Sequence, residues 1–89
     1  MQIHLSPKFK RSYKKIPSPI QDDFDEKIII FMEDISSPKL KTHKLKGKLQ
    51  HCLSFYLCNG YRVLFEYSTN NSINLLDIGS HDQYSKWRN

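Results

Sequence analysis

The sequence predicts an α+β domain over residues 1–89, of order β-α-α-β-β-β, with two antiparallel helices packed on one face of a small antiparallel sheet. Three observations predict it. Apolar residues recur at spacings of three and four as far as Ile35, they recur at every second position from Gly47 onward, and Ser-Pro and Asn-Gly pairs fall between these runs. With 89 residues and 38% hydrophobic content, the chain can bury one core and not two.

"MQIHL" alternates, with Ile3 and Leu5 on one side, and predicts a short first strand. Ser6-Pro7 then starts a helix, because serine caps well and proline at the first helical position sacrifices an N–H that has no partner there. Phe9, Tyr13 and Ile16 form its apolar stripe, while Lys8, Lys10, Arg11, Lys14 and Lys15 fill the remaining surface. Pro17 interrupts. "SPIQ" at 18–21 predicts a capping box, with Ser18 as cap, Gln21 three positions later and acids in the first turns. Ile20, Phe24, Ile28, Phe31 and Ile35 mark the buried face of the second helix.

"HKLKGKL" at 43–49 reads as an extended edge, with Lys44, Lys46 and Lys48 on one side and Leu45 and Leu49 on the other. In the strand that follows, Leu49, His51, Leu53, Phe55 and Leu57 share the core-side face, and "CNG" at 58–60 is a tight hairpin turn. Tyr61, Val63, Phe65 and Tyr67 point inward on the return strand, so Arg62, Leu64 and Glu66 point outward. "TNN" at 69–71 is a second turn. Ile73 to Ile78 is apolar on both faces, as a central strand is, and a polar tail begins at Gly79.

Charge is segregated along the chain. Six of the nine acids lie between Asp22 and Asp34, whereas Ser36 to Phe65 holds none and carries Lys39, Lys41, Lys44, Lys46, Lys48 and Arg62. Such a basic field favours phosphate backbones through counterion release and steering, with Lys39, Lys41, His43 and Lys48 as candidate RNA-binding residues. The longest strongly apolar run, Ile28 to Met32, is far short of the roughly 20 residues that cross a bilayer, and no leader pattern precedes it, so a soluble cytoplasmic protein without membrane contact is expected. Cys52 and Cys58, six positions apart in one strand, would stand about 20 Å apart at strand rise, too far for a disulfide. Four histidines and two cysteines match no local zinc spacing, so no metal and no cofactor are expected.

The sheet face turned away from the helices is the candidate site. It gathers Lys44, Lys46 and Arg62, with His81 and Tyr84 just beyond the last strand, as candidate catalytic residues. Metal-free RNA cleavage needs such groups: a proton leaves the 2′-hydroxyl as it attacks phosphorus, the non-bridging oxygens gain charge, and the 5′-oxygen takes a proton. Lysine and arginine suit the charge, histidine the proton, and tyrosine the ribose or base. Structural alternatives exist for each: an ion pair of Arg62 with Glu66, a turn or cap role for His81, packing of the tail for Tyr84 and Trp87, and a core role for His51.

"HKLKGKL" at 43–49, "YRVLFEY" at 61–67 and "LLDIGSHDQY" at 75–84, in this order and spacing, resemble the RelE/ParE superfamily of type II toxin–antitoxin toxins, with the RelE branch and its YafQ-like members closer. The resemblance covers essentially the whole chain. It implies a RelE-like fold with a twisted sheet, and a ribosome-dependent mRNA interferase that cuts mRNA in the A site without a cofactor. It implies a cognate antitoxin as partner, with the ribosome and mRNA as targets and operator DNA bound by the toxin–antitoxin complex. Lys44 and Lys46 match the family's basic positions, Arg62 its phosphate-contacting arginine, and His81 the histidine after the last strand in YafQ-like members. His43 matches a further YafQ-like histidine. The chain departs from the family where an aromatic residue usually stands four positions after His81: Ser85 is there, with Tyr84 one position early and Trp87 two positions late. The alternatives are a ParE-like gyrase inhibitor, and a decayed toxin that acts only as an antitoxin- or DNA-binding module.

Overall fold

In the computed structural model, which describes residues 1–69 and 71–87, five strands form one sheet with helices on both faces. β1 (Gln2–Leu5) leads into α1 (Pro7–Lys15) and α2 (Ser18–Glu33). A short edge strand β2 (His43–Lys44) precedes the β3–β4 hairpin (Cys52–Tyr56 and Arg62–Thr69), then β5 (Ser72–Gly79) and α3 (His81–Trp87). The sheet order is β1-β5-β4-β3-β2.

The fold class is the expected one, with three differences. β1 runs parallel to β5, so the sheet is mixed rather than purely antiparallel: the two-helix crossover carries the chain to the far edge, where β2 runs opposite to β1, and the meander back across the sheet brings β5 alongside β1 in the same direction. β2 is an additional strand. The segment read as a polar tail is instead α3, whose Trp87 is 6% exposed. Asn70, in the predicted second turn, lies outside the described residues.

α1 begins as its sequence dictates. The Ser6 hydroxyl accepts from the Phe9 amide at 3.0 Å and donates to the Leu76 carbonyl at 3.0 Å, so one side chain caps the helix and fastens it to β5. The capping box expected for α2 does not form. Pro17 occupies the cap position, Ser18 is already helical, and Gln21 donates its amide to the Tyr13 carbonyl of α1 at 2.8 Å. That bond uses a helix-end carbonyl of α1 and fixes the angle between the two helices.

The helix-side core is aromatic. Phe31 of α2 sits 5.2 Å from the Phe55 ring and 5.0 Å from the Phe65 ring, and Phe9, Phe24 and Tyr13 stack beside them. Val63, Ile73, Leu75 and Ile78 complete it. Each fully buried ring is worth about 1.5–3 kcal/mol relative to exposure. β5 keeps Leu75 and Ile78 on this face, three positions apart, because Leu64 pairs with Asp77 but Phe65 with Leu75, a bulge that leaves Leu76 unpaired. Leu76 packs on the opposite face.

The second face has its own small core of Leu45, Cys52, Leu64 and Trp87, with Leu49, Leu76 and Tyr84 around it. Trp87 anchors α3 by donating its indole N–H to the buried Asp77 carboxylate at 3.2 Å, and Lys8 Nζ lies 3.5 Å from the same oxygen. Gly79 makes this docking possible. A Cβ there would stand 2.7 Å from the Cβ and Cγ of Gln83. Gly79→Ala should therefore push α3 off the sheet and cost about 1–3 kcal/mol by chemical denaturation; an unchanged midpoint would show that α3 docks without this close approach.

Candidate active site

The hairpin turn sets the register of the site. Asn59 (φ 57°, ψ 31°) and Gly60 (φ 78°) both adopt the left-handed conformation, the Tyr61 amide donates to the Cys58 carbonyl, and the Leu57 amide donates to the Tyr61 carbonyl, so Cys58, Asn59 and Gly60 together form the loop. Tyr56 is thereby placed opposite Arg62, and both face away from the α1–α2 core.

Arg62 is 8% exposed, and its guanidinium carbon lies 4.0 Å from the centre of the Tyr56 ring and 4.1 Å from that of Tyr84. The two rings clamp it by cation–π attraction. The alternative ion pair with Glu66 does not exist: Glu66 faces His51 at 3.5 Å and accepts from Asn74 at 3.1 Å. Arg62 Nε is buried with no hydrogen-bond partner among the described residues. Such an orphan donor costs about 1–3 kcal/mol.

One cleft of about 300 Å³ is lined by His43, Lys44, Leu45, Lys46, Tyr56, Arg62, His81 and Tyr84. The five candidate catalytic residues border one cavity, though not in the manner of a continuous basic strand. His43 pairs with Ser54 and so shares the face of Tyr56 and Arg62, its ring 5.5 Å from Tyr56. Lys44 pairs with Leu53, which packs with the helix-side core, so Lys44 reaches the cleft only at the sheet edge. The alternation predicted through Leu49 ends early. Gly47 turns left-handed (φ 72°) and Gly47–Leu49 form a helical turn, so Lys48 leaves the strand. Lys39, Lys41 and Lys48 are exposed and do not line the cleft. His51, expected on the core-side face, is 62% exposed, because the strand starts only at Cys52.

Helical geometry accounts for the displaced tail aromatic. In α3 Tyr84 is one turn beyond His81 and on the same side, so both reach the cleft, while Trp87 is carried inward. Tyr56 was not among the sequence candidates. The signal for it was present in "CNG", since a three-residue turn at 58–60 pairs Leu57 with Tyr61 and so Tyr56 with Arg62. Cys52 and Cys58 are both free thiols, the first buried and the second exposed.

A small sheet with two helices on one face and a third helix on the other matches the RelE-like α+β fold. A family model described as the ParE toxin of the type II toxin–antitoxin system, parDE, matches residues 3–84, and the chain belongs to this family, within the RelE/ParE superfamily. Solved structures show the same fold. A YoeB/ParE toxin from Agrobacterium tumefaciens aligns with TM-score 0.75 at 12% identity, over 91% of this chain and 99% of its own. YafQ from E. coli gives 0.74 at 10% identity over 93% and 96%, and a RelB–RelE antitoxin–toxin complex from Methanococcus jannaschii gives 0.74 at 16% over 94% and 96%. A comparison with curated proteins finds no match. No helix among the described residues is long and apolar enough to cross a membrane.

Arg62→Leu keeps the apolar stem and removes the orphan donor. Loss of two cation–π contacts then nearly cancels relief of the unpaired N–H, so Tm should stay within about 4 °C of wild type or rise, equivalent to less than ~1 kcal/mol in a chain of this size. A larger fall would mean that the arginine is there for stability.

Proposed function

We propose that this chain is an mRNA interferase, the toxin of a type II pair, which cleaves ribosome-bound mRNA in the A site and is neutralised by a cognate antitoxin in the cytoplasm. The observation that carries the reading is the cleft that joins Arg62, Lys46, His81, His43, Tyr56 and Tyr84. A purely docking surface has no need of a guanidinium buried with an unpaired N–H. A phosphate oxygen supplies the missing acceptor, and charge-assisted pairing offsets the desolvation.

Each residue has a defined task in this reading. Arg62, with Lys46 and Lys44, neutralises the charge that builds on the non-bridging oxygens as the 2′-oxygen attacks. His81 of α3 and His43 of β2 are the groups able to give a proton to the 5′-oxygen and take one from the 2′-hydroxyl. Tyr84 and Tyr56 hold the guanidinium and offer faces on which a splayed base can stack. The products are a 2′,3′-cyclic phosphate, or the 3′-phosphate from its hydrolysis, and a 5′-hydroxyl. Lys39, Lys41 and Lys48, outside the cleft, fit long-range attraction to ribosomal RNA. The antitoxin complex is also the form proposed to bind operator DNA.

The second reading is gyrase inhibition, favoured by the ParE description of the matching family model. One experiment separates the two. Purified chain is incubated with 70S ribosomes and a defined mRNA and the cut ends are mapped; in parallel it is incubated with gyrase and plasmid DNA. The interferase reading expects ribosome-dependent cuts, which fall by about 10²–10⁴ in rate for His81→Ala, the usual loss of a proton-transfer group, with antitoxin binding retained. Arg62→Ala should lose at least as much. Intact mRNA together with gyrase trapped on DNA would establish the second reading, and Arg62→Ala cutting at the wild-type rate would remove the proposed site.

A further inference from the structure

His51, Cys52 and Glu66 have no part in the cleft. They meet at the other end of the β3–β4 hairpin, four residues along β4 from Arg62, or about 13 Å at strand rise. Cys52 and Glu66 are direct cross-strand partners, and His51 precedes Cys52 in the turn that enters β3. One donor atom from each of the three lies within 4.8 Å of the other two. We propose that these residues form a binding site for a divalent transition-metal ion of borderline softness, zinc being the type case.

The donor set determines the class of ion. A thiolate, an imidazole and a carboxylate together suit zinc and its neighbours, whereas calcium and magnesium take oxygen ligands. Zinc bonds of about 2.0–2.3 Å place tetrahedral donors roughly 3.3–3.8 Å apart, so closure needs shifts of about 1 Å. His51 has the freedom to make them, being largely exposed, and its Nε2 already stands 3.5 Å from Glu66 Oε1. The carboxylate is already held in place. Its other oxygen accepts from the Asn74 side chain of β5 at 3.1 Å, the kind of outer partner that orients a ligating group.

The Cys52 thiol, at the edge of the second core, gives the histidine–glutamate pair a third donor. Cys52 is fully buried and stands directly across the strands from Glu66. A bound ion replaces the thiol proton and completes a site of three protein donors, with the fourth position left to water. Local-spacing rules overlook this arrangement because Glu66 lies fourteen positions from Cys52 and reaches it only through strand pairing. The ion would brace the turn between the basic segment and β3, beside Leu45 and Leu49 of the second core.

The test uses untagged full-length chain carrying Cys58→Ser, which removes the exposed thiol. Cobalt(II) alone is titrated in, followed by zinc. One cobalt per chain with a thiolate-to-cobalt charge-transfer band, bleached by zinc, is expected. The band should vanish in Cys52→Ala, and affinity should fall in His51→Ala and Glu66→Gln by at least the roughly 10- to 100-fold that loss of even an outer-shell partner costs. Circular dichroism of the metal-free variants establishes that they are folded; His51→Ala, at an exposed position, keeps the test alive if Cys52→Ala is not. Absence of the band at stoichiometric cobalt would overturn the proposal. So would undiminished affinity in folded His51→Ala, or uptake that disappears on His43→Ala with His81→Ala and not on the variants above.

Discussion

Covering both faces of one small sheet is the constraint on which the rest of this structure depends. α1 and α2 cover one face with an aromatic core, and the opposite face is closed only where α3 and Leu45 lie on it. Trp87, hydrogen-bonded to the buried Asp77, pins α3 there. Because the second core is short, the sheet beyond it stays open, and the cleft is that opening. Tyr84 reaches Arg62, and His81 lines the cleft, only because α3 is docked, so the packing energy of a tryptophan and the geometry of the candidate site are one problem.

The cleft itself runs against stability. An arginine buried between two rings, its Nε–H without a partner among the described residues, is a feature that a fold optimised for stability would remove. No acid is among the described residues that line the cleft. Asp22, Asp23, Asp25 and Glu26 lie on α2, where Asp23 pairs with Lys27 and accepts from the Cys58 amide, and Asp25 accepts from Tyr13. Electrostatic polarity along the chain thus becomes polarity across the molecule, leaving the cleft free to meet an anion.

Much of this was legible in the alternation of residues. The strand faces of Val63, Phe65, Arg62 and Leu64, the two helices and the Asn-Gly turn all follow from local periodicity and turn chemistry, because one buried face dictates register. What escaped was decided by long-range packing. A seven-residue helix ending in a single tryptophan has too little periodicity to be distinguished from a tail, and the direction of β1 depends on a crossover rather than on its own residues. The basic segment misled for a specific reason. Alternation of lysine with leucine suggested one long strand, but Gly47 breaks it after two paired residues, and the pairing of His43 with Ser54 puts the histidine, not Lys44, on the face of Arg62.

The central claim is that Arg62 Nε–H is a buried donor kept unpaired for a phosphate. Nitrogen-15 NMR of the arginine side chain during titration with a non-cleavable, 2′-deoxy-substituted mRNA fragment reads that donor directly. The account predicts a large downfield shift of the Arg62 Nε–H with slowed solvent exchange, accompanied by changes at His43, Lys46, Tyr56, His81 and Tyr84. An unmoved Arg62 resonance, with perturbations confined to the α1–α2 face, would contradict it.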